Sequence, residues 1–339
     1  MYNKILVTLD GSGLSEAVLP YVAEFFRSSG SQELVLLNVV EERGNRGLRR
    51  ANSYLGGWAS RLVEPPYQVP HVQWATIRTG AGGIAGTILG FAEENSLDLI
   101  VLSNHGRSGV DRWLMGSVAQ KVLWGADIPV LLVPSSLGDA VSAPGLKRVL
   151  LPLDGSPLAE RALPPVERLA RFAGVEVCLL CVEPVSNGGS GREERASKDL
   201  PLHQGEDMAG YLGSIASNLA DVGARVETRV RVGHPGQIIA KEAEIGPANL
   251  IVISSHGLTR AAGWSLGSIA GQVLRGSSVP VLLVRAGLER EIPQRAVGPL
   301  AHHCHRCGRR SRREDFSSQD RCSRCHTHLK VCGNCVQFD

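Results

Sequence analysis

The stretch that decides the fold is KILVTLDGS at residues 4–12, because it returns as KRVLLPLDGS at residues 147–156. A second matched pair begins at Leu99, with LIVLSNHGRSGVDRWLMGSVAQKVLWGADIPVLLV, and at Leu250, with LIVISSHGLTRAAGWSLGSIAGQVLRGSSVPVLLV. A repeat of this length is a whole domain rather than one unit of a solenoid. The 339 residues therefore predict two copies of one domain, and the function should lie in what the copies share.

Apolar runs of strand length alternate with segments of helical periodicity in both copies. In the first copy we predict strands at 5–9, 33–40, 71–78, 97–103 and 129–134, and helices at 12–28, 51–63, 83–95 and 117–125. The second copy repeats this order. Strands that are apolar along their length and alternate with helices predict an α/β fold, in which a doubly wound parallel sheet is covered on both faces.

Composition and punctuation place the domain boundaries. We expect a first domain at 1–136, a linker at 137–146, a second domain at 147–287, a linker at 288–301 and a small tail at 302–339. The apolar runs are too short to span a membrane, and the first residues do not resemble a signal peptide. A net charge of +3 favours no particular partner. We therefore expect a cytoplasmic protein without a membrane partner.

The shared motifs follow the strands that should form one crevice. In the first copy, Asp10 closes the first strand, and a glycine-bearing loop begins at Ser103, where the fourth strand ends. Ligands of open α/β sheets bind beyond the carboxyl ends of the strands, at the point where strand order reverses. The loop leads to a helix that begins near Ser117, and a helix N-terminus is an anion site. The carboxylate would repel phosphate, so we place it at the nucleoside end.

These motifs resemble the universal stress protein family, in tandem form, over about residues 1–287. Nucleotide-binding members of that family carry Gly-x2-Gly-x9-Gly-(Ser/Thr) together with an Asp that ends the first strand. The first copy reads Ser103-x2-Gly106-x9-Gly116-Ser117 with Asp10. The second reads Ser254-x2-Gly257-x9-Gly267-Ser268 with Asp154. Both keep the x9 spacing, and both replace the first glycine by serine.

The resemblance implies two Rossmann-like domains of the adenine nucleotide alpha hydrolase-like type. It implies a stress-response protein that binds ATP or AMP, with or without magnesium, and is not a dedicated enzyme. The implied binding residues are Asp10, Ser103, Gly106, Gly116, Ser117, Asp154, Ser254, Gly257, Gly267 and Ser268. Family members commonly pair through their last strand, so the runs IPVLLV and VPVLLV should pair within this chain.

Two alternatives stay open for this site. Asp10 and Asp154 each precede a helix, so either could be only its N-cap. Serine does not readily adopt positive φ, so Ser103 and Ser254 would weaken binding if the motif's first glycine needs that conformation. The chain would then be a nucleotide-free interaction scaffold. His105 and His256 lie in the loops, and we assign neither a catalytic role.

The tail carries six of the eight cysteines, in three Cys-x2-Cys pairs. Two such pairs about fifteen residues apart predict a tetrahedral zinc site, which can fold a segment that lacks an apolar core. The tail thus resembles the broad zinc-ribbon class. We favour the first two pairs as one site and leave the third unassigned. The predicted zinc ligands are Cys304, Cys307, Cys322, Cys325, Cys332 and Cys335.

The two cysteines outside the tail and the basic residues within it have simpler interpretations. Cys178 and Cys181 lie on a predicted strand, where positions i and i+3 face opposite sides, so we expect two buried thiols. Five arginines between residues 306 and 313 could contact phosphates, but Phe316 and Phe338 are the only aromatic residues of the tail. We therefore expect a protein partner rather than nucleic acid. A thiol or zinc redox switch is the remaining alternative.

Overall fold

The computed structural model describes residues 2–42, 44–105, 115–137, 145–184, 208–256 and 267–285, together with the backbone of 301–303 and 310–312. Within these ranges the predicted alternation of strands and helices is confirmed in both copies. No helix among the described residues is long and apolar enough to cross a membrane.

The first copy contributes five strands and five helices. They are β1 Lys4–Thr8, α1 Gly13–Glu16, α2 Leu19–Ser29, β2 Glu33–Val40, α3 Asn45–Val63, β3 Val72–Arg78, α4 Gly83–Glu94, β4 Leu99–Ser103, α5 Ser117–Gly125 and β5 Val130–Val133.

The second copy repeats this order closely. Its elements are β6 Arg148–Pro152, α6 Pro157–Glu160, α7 Leu163–Ala173, β7 Glu176–Glu183, α8 Met208–Asp221, β8 Arg225–Val232, α9 Pro235–Ile245, β9 Leu250–Ser254, α10 Ser268–Gly276 and β10 Val281–Val284. Two further short strands, β11 Ala301–His303 and β12 Arg310–Arg312, form a separate antiparallel pair.

The ten long strands form one sheet in the order β3-β2-β1-β4-β5-β10-β9-β6-β7-β8. Within each copy every strand pair is parallel, and β1 lies between β2 and β4 as β6 lies between β7 and β9. This order reverses direction between β1 and β4, and again between β6 and β9. The fold thus places a switch-point crevice at the carboxyl end of these strands in both copies.

The two halves of the sheet meet at β5 and β10, which are antiparallel. Leu282 is opposite Leu131, and both side chains are at most 1% exposed. Pairing these edges leaves no open edge between the two halves, and burial of both apolar strands stabilises the contact. The register joins Val281–Leu283 of β10 to Val130–Leu132 of β5 within this chain.

The core has two layers, one on each face of the sheet. Alternate residues of one strand enter different layers: Ile5 packs under α2 and α3, whereas Leu6 packs under α4 and α5. The same alternation separates Cys181 from Cys178, which lie in the two different layers and are each 3% exposed. Both thiols are thus buried on opposite faces, as their spacing predicts.

The first predicted helix of each copy is in fact two helices. Residues 12–28 divide into α1 and α2, and the corresponding segment of the second copy divides into α6 and α7. Pro20 and Pro164 occupy the first turn of the second helix in each case. Proline favours a helix start because it lacks an N–H and has a fixed φ. The apolar periodicity continues through the break, so it does not reveal it.

Candidate functional site

A cleft of about 720 Å³ opens at the carboxyl ends of β1, β2 and β4 in the first copy. Its lining brings together Asp10, Ser103, Gly116 and Ser117, which are distant in the sequence. Its apolar walls come from Val39, Ile84, Ile88, Leu102 and Val118. A volume of several hundred Å³ with apolar walls and a few polar groups is typical of a small-molecule site.

Asp10 lies beside the N-terminus of α1 but does not cap it. The backbone amide and the hydroxyl of Ser12 donate to Asp10 Oδ1 at 2.9 and 2.6 Å. Ser12 is the N-cap, because its Oγ accepts from the Ser15 amide at 3.2 Å. The N-cap alternative for Asp10 is therefore wrong. Gly11 permits this turn because its φ of +85° favours glycine.

The second copy has the same carboxylate arrangement. Asp154 Oδ1 accepts from the amide and hydroxyl of Ser156 at 3.1 and 2.6 Å. Ser156 Oγ in turn accepts from the Ala159 amide at 3.1 Å, and Ser156 is the N-cap of α6. In this copy too the N-cap is the serine, not the aspartate. The repeated geometry holds each carboxylate at the end of its strand.

Gly116 joins the loop to α5 through a close backbone approach. Its amide donates to the Asn104 carbonyl oxygen at 2.8 Å, and a Cβ on Gly116 would lie 3.2 Å from that oxygen. Its φ is −58°, so what favours glycine here is the lack of space rather than the backbone conformation. Among the described residues no side chain caps the first turn of α5, whose N-cap is Gly116, and Ser117, Val118 and Ala119 line the cleft. The start of this helix can therefore bind an anion.

Gly267 and Ser268 occupy the same positions before α10. The Gly267 amide donates to the Ser255 carbonyl oxygen at 2.9 Å, and a Cβ on Gly267 would lie only 2.8 Å from it. At both positions glycine is favoured because a backbone oxygen leaves little space for a Cβ.

The two serines that replace the family's first glycine are accommodated without backbone strain. Neither Ser103 nor Ser254 has a positive φ, and each is the last residue of its strand. The Ser103 hydroxyl donates to the carbonyl of His105, so it supports the loop. Ser254 Oγ is buried and has no hydrogen-bond partner among the described residues.

The structure adds a tyrosine–glutamate pair that sequence reasoning missed. Tyr54, on α3, lines the cleft and donates its hydroxyl to Glu16 Oε1 at 2.8 Å. Burial, followed by the neighbouring Glu16 carboxylate, raises the pKa of Tyr54 well above its usual value, so the phenol stays neutral. Tyr211 and Glu160 form the same pair at 3.0 Å in the second copy. This recurrence in both copies was the signal that could have found the pair.

Several predicted site residues lie outside the described residues. These are Gly106, Gly257, Cys304, Cys307, Cys322, Cys325, Cys332 and Cys335. Across the described part of the chain, no group of three or more His, Cys, Asp or Glu side chains is placed to hold a metal ion.

The sequence profile described as "Universal stress protein family" matches residues 1–134 and 145–285. The chain belongs to the universal stress protein family. A universal stress protein of Mycolicibacterium smegmatis is 29% identical over 197 residues, which cover 56% of this chain and 62% of that protein. One of Methanocaldococcus jannaschii is 30% identical over 153 residues, which cover 41% of this chain and 94% of that protein.

The chain spans about three fifths of the length of the first curated universal stress proteins that it matches. A crystal structure of a universal stress protein from Archaeoglobus fulgidus matches 85% of this chain and all of that chain. The TM-score is 0.61 and the identity 22%, a likeness that shows a shared fold.

Proposed function

We propose that this universal stress protein binds an adenine nucleotide, ATP or AMP, in the cleft of its first copy and that nucleotide occupancy is the signal it carries. The observation that carries the proposal is that one cleft contains the Asp10 carboxylate, apolar walls and the start of α5, whose N-cap Gly116 has no side chain. A nucleotide needs all three environments: acceptors for base or ribose, an apolar wall for the ring, and N–H donors for phosphate.

The two ends of the cleft differ in electrostatic character, which fixes the direction of binding. The Asp10 carboxylate can accept from ribose hydroxyls or from the exocyclic amine of adenine. The first turn of α5, beginning at Ser117, presents N–H groups and the positive end of the helix dipole to phosphates. We assign Gly106 to the same phosphate cradle from the sequence motif. The positions of the second copy that match this site are Asp154, Ser254, Gly257, Gly267 and Ser268.

The lining supports binding and signalling rather than fast hydrolysis. Among the described residues that line the cleft, the basic side chains are Arg50 and His105, and none is a lysine. Fast phosphoryl transfer relies on several positioned charges around the phosphates. A protein that holds its nucleotide and is read by a partner needs no such arrangement.

The test is ATP titration of the full chain by calorimetry, with Asp10→Ala as the variant and Ser12→Ala as its matched control. Ser12→Ala removes the cap of α1, at a cost of about 1 kcal/mol in stability, and the hydroxyl bond to Asp10, but it keeps the carboxylate in the cleft and the bond from the residue 12 amide that orients it. We expect Asp10→Ala to lower ATP affinity about tenfold or more and Ser12→Ala to change it little. Equal affinities for Asp10→Ala and the wild-type chain would contradict the site assignment.

We further propose that zinc stabilises the tail and that the tail docks a protein partner. The six-cysteine pattern supports the zinc site. The antiparallel pair β11–β12 also supports it, because its two strands flank Cys304 and Cys307 in sequence. A Cys-x2-Cys pair between two antiparallel strands is typical of a zinc ribbon.

Metal analysis of the purified full chain tests the zinc proposal. We expect zinc that is lost when Cys304 and Cys322 are both changed to serine. Cys181→Ala is the matched control, because this thiol is buried in the sheet core and should leave zinc content unchanged. A chain that is free of zinc after purification and does not bind added zinc would overturn the proposal.

A further inference from the structure

The two clefts are built from matched positions that carry different side chains. Tyr54 and Tyr211 make the same bond to Glu16 and Glu160, so α3 and α8 align through these tyrosines. Counting three residues back from each tyrosine places Ala51 opposite Met208 in the two copies. Ala51 lines the first cleft, and a long thioether therefore stands where the first cleft has a methyl group.

Met208 reaches the turn that presents the second carboxylate. Its Cε would lie 3.2 Å from a Cβ placed on Gly155, the residue that directly follows Asp154. Met208 is partly buried and packs against the core layer that contains Tyr211. The matched residue of the first copy, Gly11, lines the open cleft. The Met208 side chain thus occupies the region beside Asp154 where a nucleoside would lie.

Other matched positions lose polar groups in the second copy. The backbone bonds Leu9 to Leu37 and Leu153 to Leu180 align β2 with β7, which places Asn38 opposite Cys181. Burial raises the pKa of Cys181 to about 11, so this group is a neutral thiol and a weak hydrogen-bonding partner.

Polar side chains are also lost beside the Asp-Gly-Ser turn that both copies share. Thr8 and Ser15 line the first cleft, and the matched residues of the second copy are Pro152 and Ala159. Each change removes a side-chain hydroxyl. The phosphate end is different, since Ser268 and Gly267 repeat Ser117 and Gly116.

We infer that the two clefts are not equivalent: the first takes the nucleotide, and Met208 closes the nucleoside end of the second. This inference rests on the proposed nucleotide binding and deepens it, since it sets the stoichiometry at one nucleotide per chain. Met208 acts here as a specificity-determining side chain that excludes the base and ribose by occupying their space. The second cleft also lacks polar side chains that the first cleft presents. A ligand that loses its hydrogen-bonding partners binds much more weakly.

The experiment exchanges the two matched side chains and counts ATP by calorimetry on the full chain. Ala51→Met should close the first cleft and lower its ATP affinity about tenfold or more. Ser53→Met is the matched control, because it adds the same thioether at an exposed position of α3 that does not line the cleft, and it should retain affinity. Met208→Ala should add a second binding event to that of the wild-type chain. Thermal melting of each variant shows whether it is folded.

The outcomes separate this inference from the proposed function. Two equivalent ATP sites in the wild-type chain would overturn the inference and leave nucleotide binding intact. Unchanged affinity in Ala51→Met, or a single binding event in folded Met208→Ala, would also overturn it. No ATP binding by the wild-type chain would overturn the proposed function, and the inference with it.

Discussion

At the level of single residues, the motif positions that both copies share shape the loops, and in the first copy Asp10, Ser103 and Gly116 also line the cleft. Glycine is favoured at positions 116 and 267 because a backbone oxygen lies close to where a Cβ would stand. Ser103 and Asp10 each hold a turn through hydrogen bonds, and both also line the cleft. Motif spacing identifies these positions, but it does not tell which of them support the loop and which contact a ligand.

The two loop glycines make a graded prediction for alanine substitution. A Cβ at Gly267 would lie 2.8 Å from the Ser255 oxygen, whereas one at Gly116 would lie 3.2 Å from the Asn104 oxygen. Both glycines have ordinary negative φ, so strain comes from the contact alone. We expect Gly267→Ala to cost about 1–3 kcal/mol of unfolding free energy, and Gly116→Ala less. Urea unfolding measures both, and the reverse order would contradict the packing argument.

At the level of helices and strands, most strands could be predicted from sequence alone, because each apolar run is longer than the error in placing its two ends. For example, the strand predicted at 33–40 begins at Glu33 and ends at Val40 in the structure. The predicted crevice required β1 and β4 to be neighbours, and they pair in the structure. The break between α1 and α2 was missed, because core-facing residues keep their spacing across it. The Tyr54–Glu16 contact was missed because it joins elements that are far apart in sequence.

The contact between β8 and α9 predicts an acid-sensitive part of the fold. Arg229 and Arg231 donate to the two oxygens of Glu242 at 2.7 and 2.6 Å, and the Glu242 side chain is 10% exposed. Burial opposes ionisation of Glu242, but the two arginines outweigh it and hold the pKa of this carboxyl below its usual value. The ion pairs therefore add stability above the unfolded pKa of about 4.3 and lose it as pH falls through the folded pKa.

We expect Glu242→Gln to lower the free energy of unfolding at pH 7 by about 1–3 kcal/mol, since it removes the carboxylate that Arg229 and Arg231 share, although Arg229 keeps its pair with Glu227. The difference from wild type should shrink as the pH falls below about 4. Glu244→Gln is the matched control on the same helix: Glu244 accepts one exposed hydrogen bond, from Ser278. Urea unfolding across pH is the measurement, and a constant difference at every pH would contradict the assignment.

At the scale of the whole molecule, the repeat forms one continuous sheet with a single antiparallel junction. The resemblance predicted this pairing from the matched last strands, and the register places Val281 opposite Leu132 at the joint. Arg285 reinforces it, because its Nε donates to the Ala126 carbonyl at 2.6 Å and its guanidinium also contacts the Trp124 carbonyl. A side chain of the second copy thus binds the C-terminal end of α5, a helix of the first, where a positive charge is favoured.

We predict that the two copies unfold in one cooperative transition and that Arg285→Ala lowers the midpoint. The expected loss is about 1–2 kcal/mol, because two carbonyls lose a charged donor at a half-buried site. Arg275→Ala is the control, since Arg275 is exposed on α10. Solution scattering should give one compact particle for the wild-type chain. Two separate, flexibly tethered lobes, or two resolved unfolding transitions, would contradict the paired arrangement.

The nucleotide site proposed for the first cleft is the basis of every functional statement about this protein. Calorimetric titration of the purified full chain with ATP, after removal of any bound nucleotide, tests it in one measurement. The account predicts saturable binding with a stoichiometry of one, lowered by Asp10→Ala and by Ala51→Met. If ATP produced no binding heat and no adenine nucleotide bound to the chain, the proposed site would be contradicted. A nucleotide-free interaction scaffold would then be favoured.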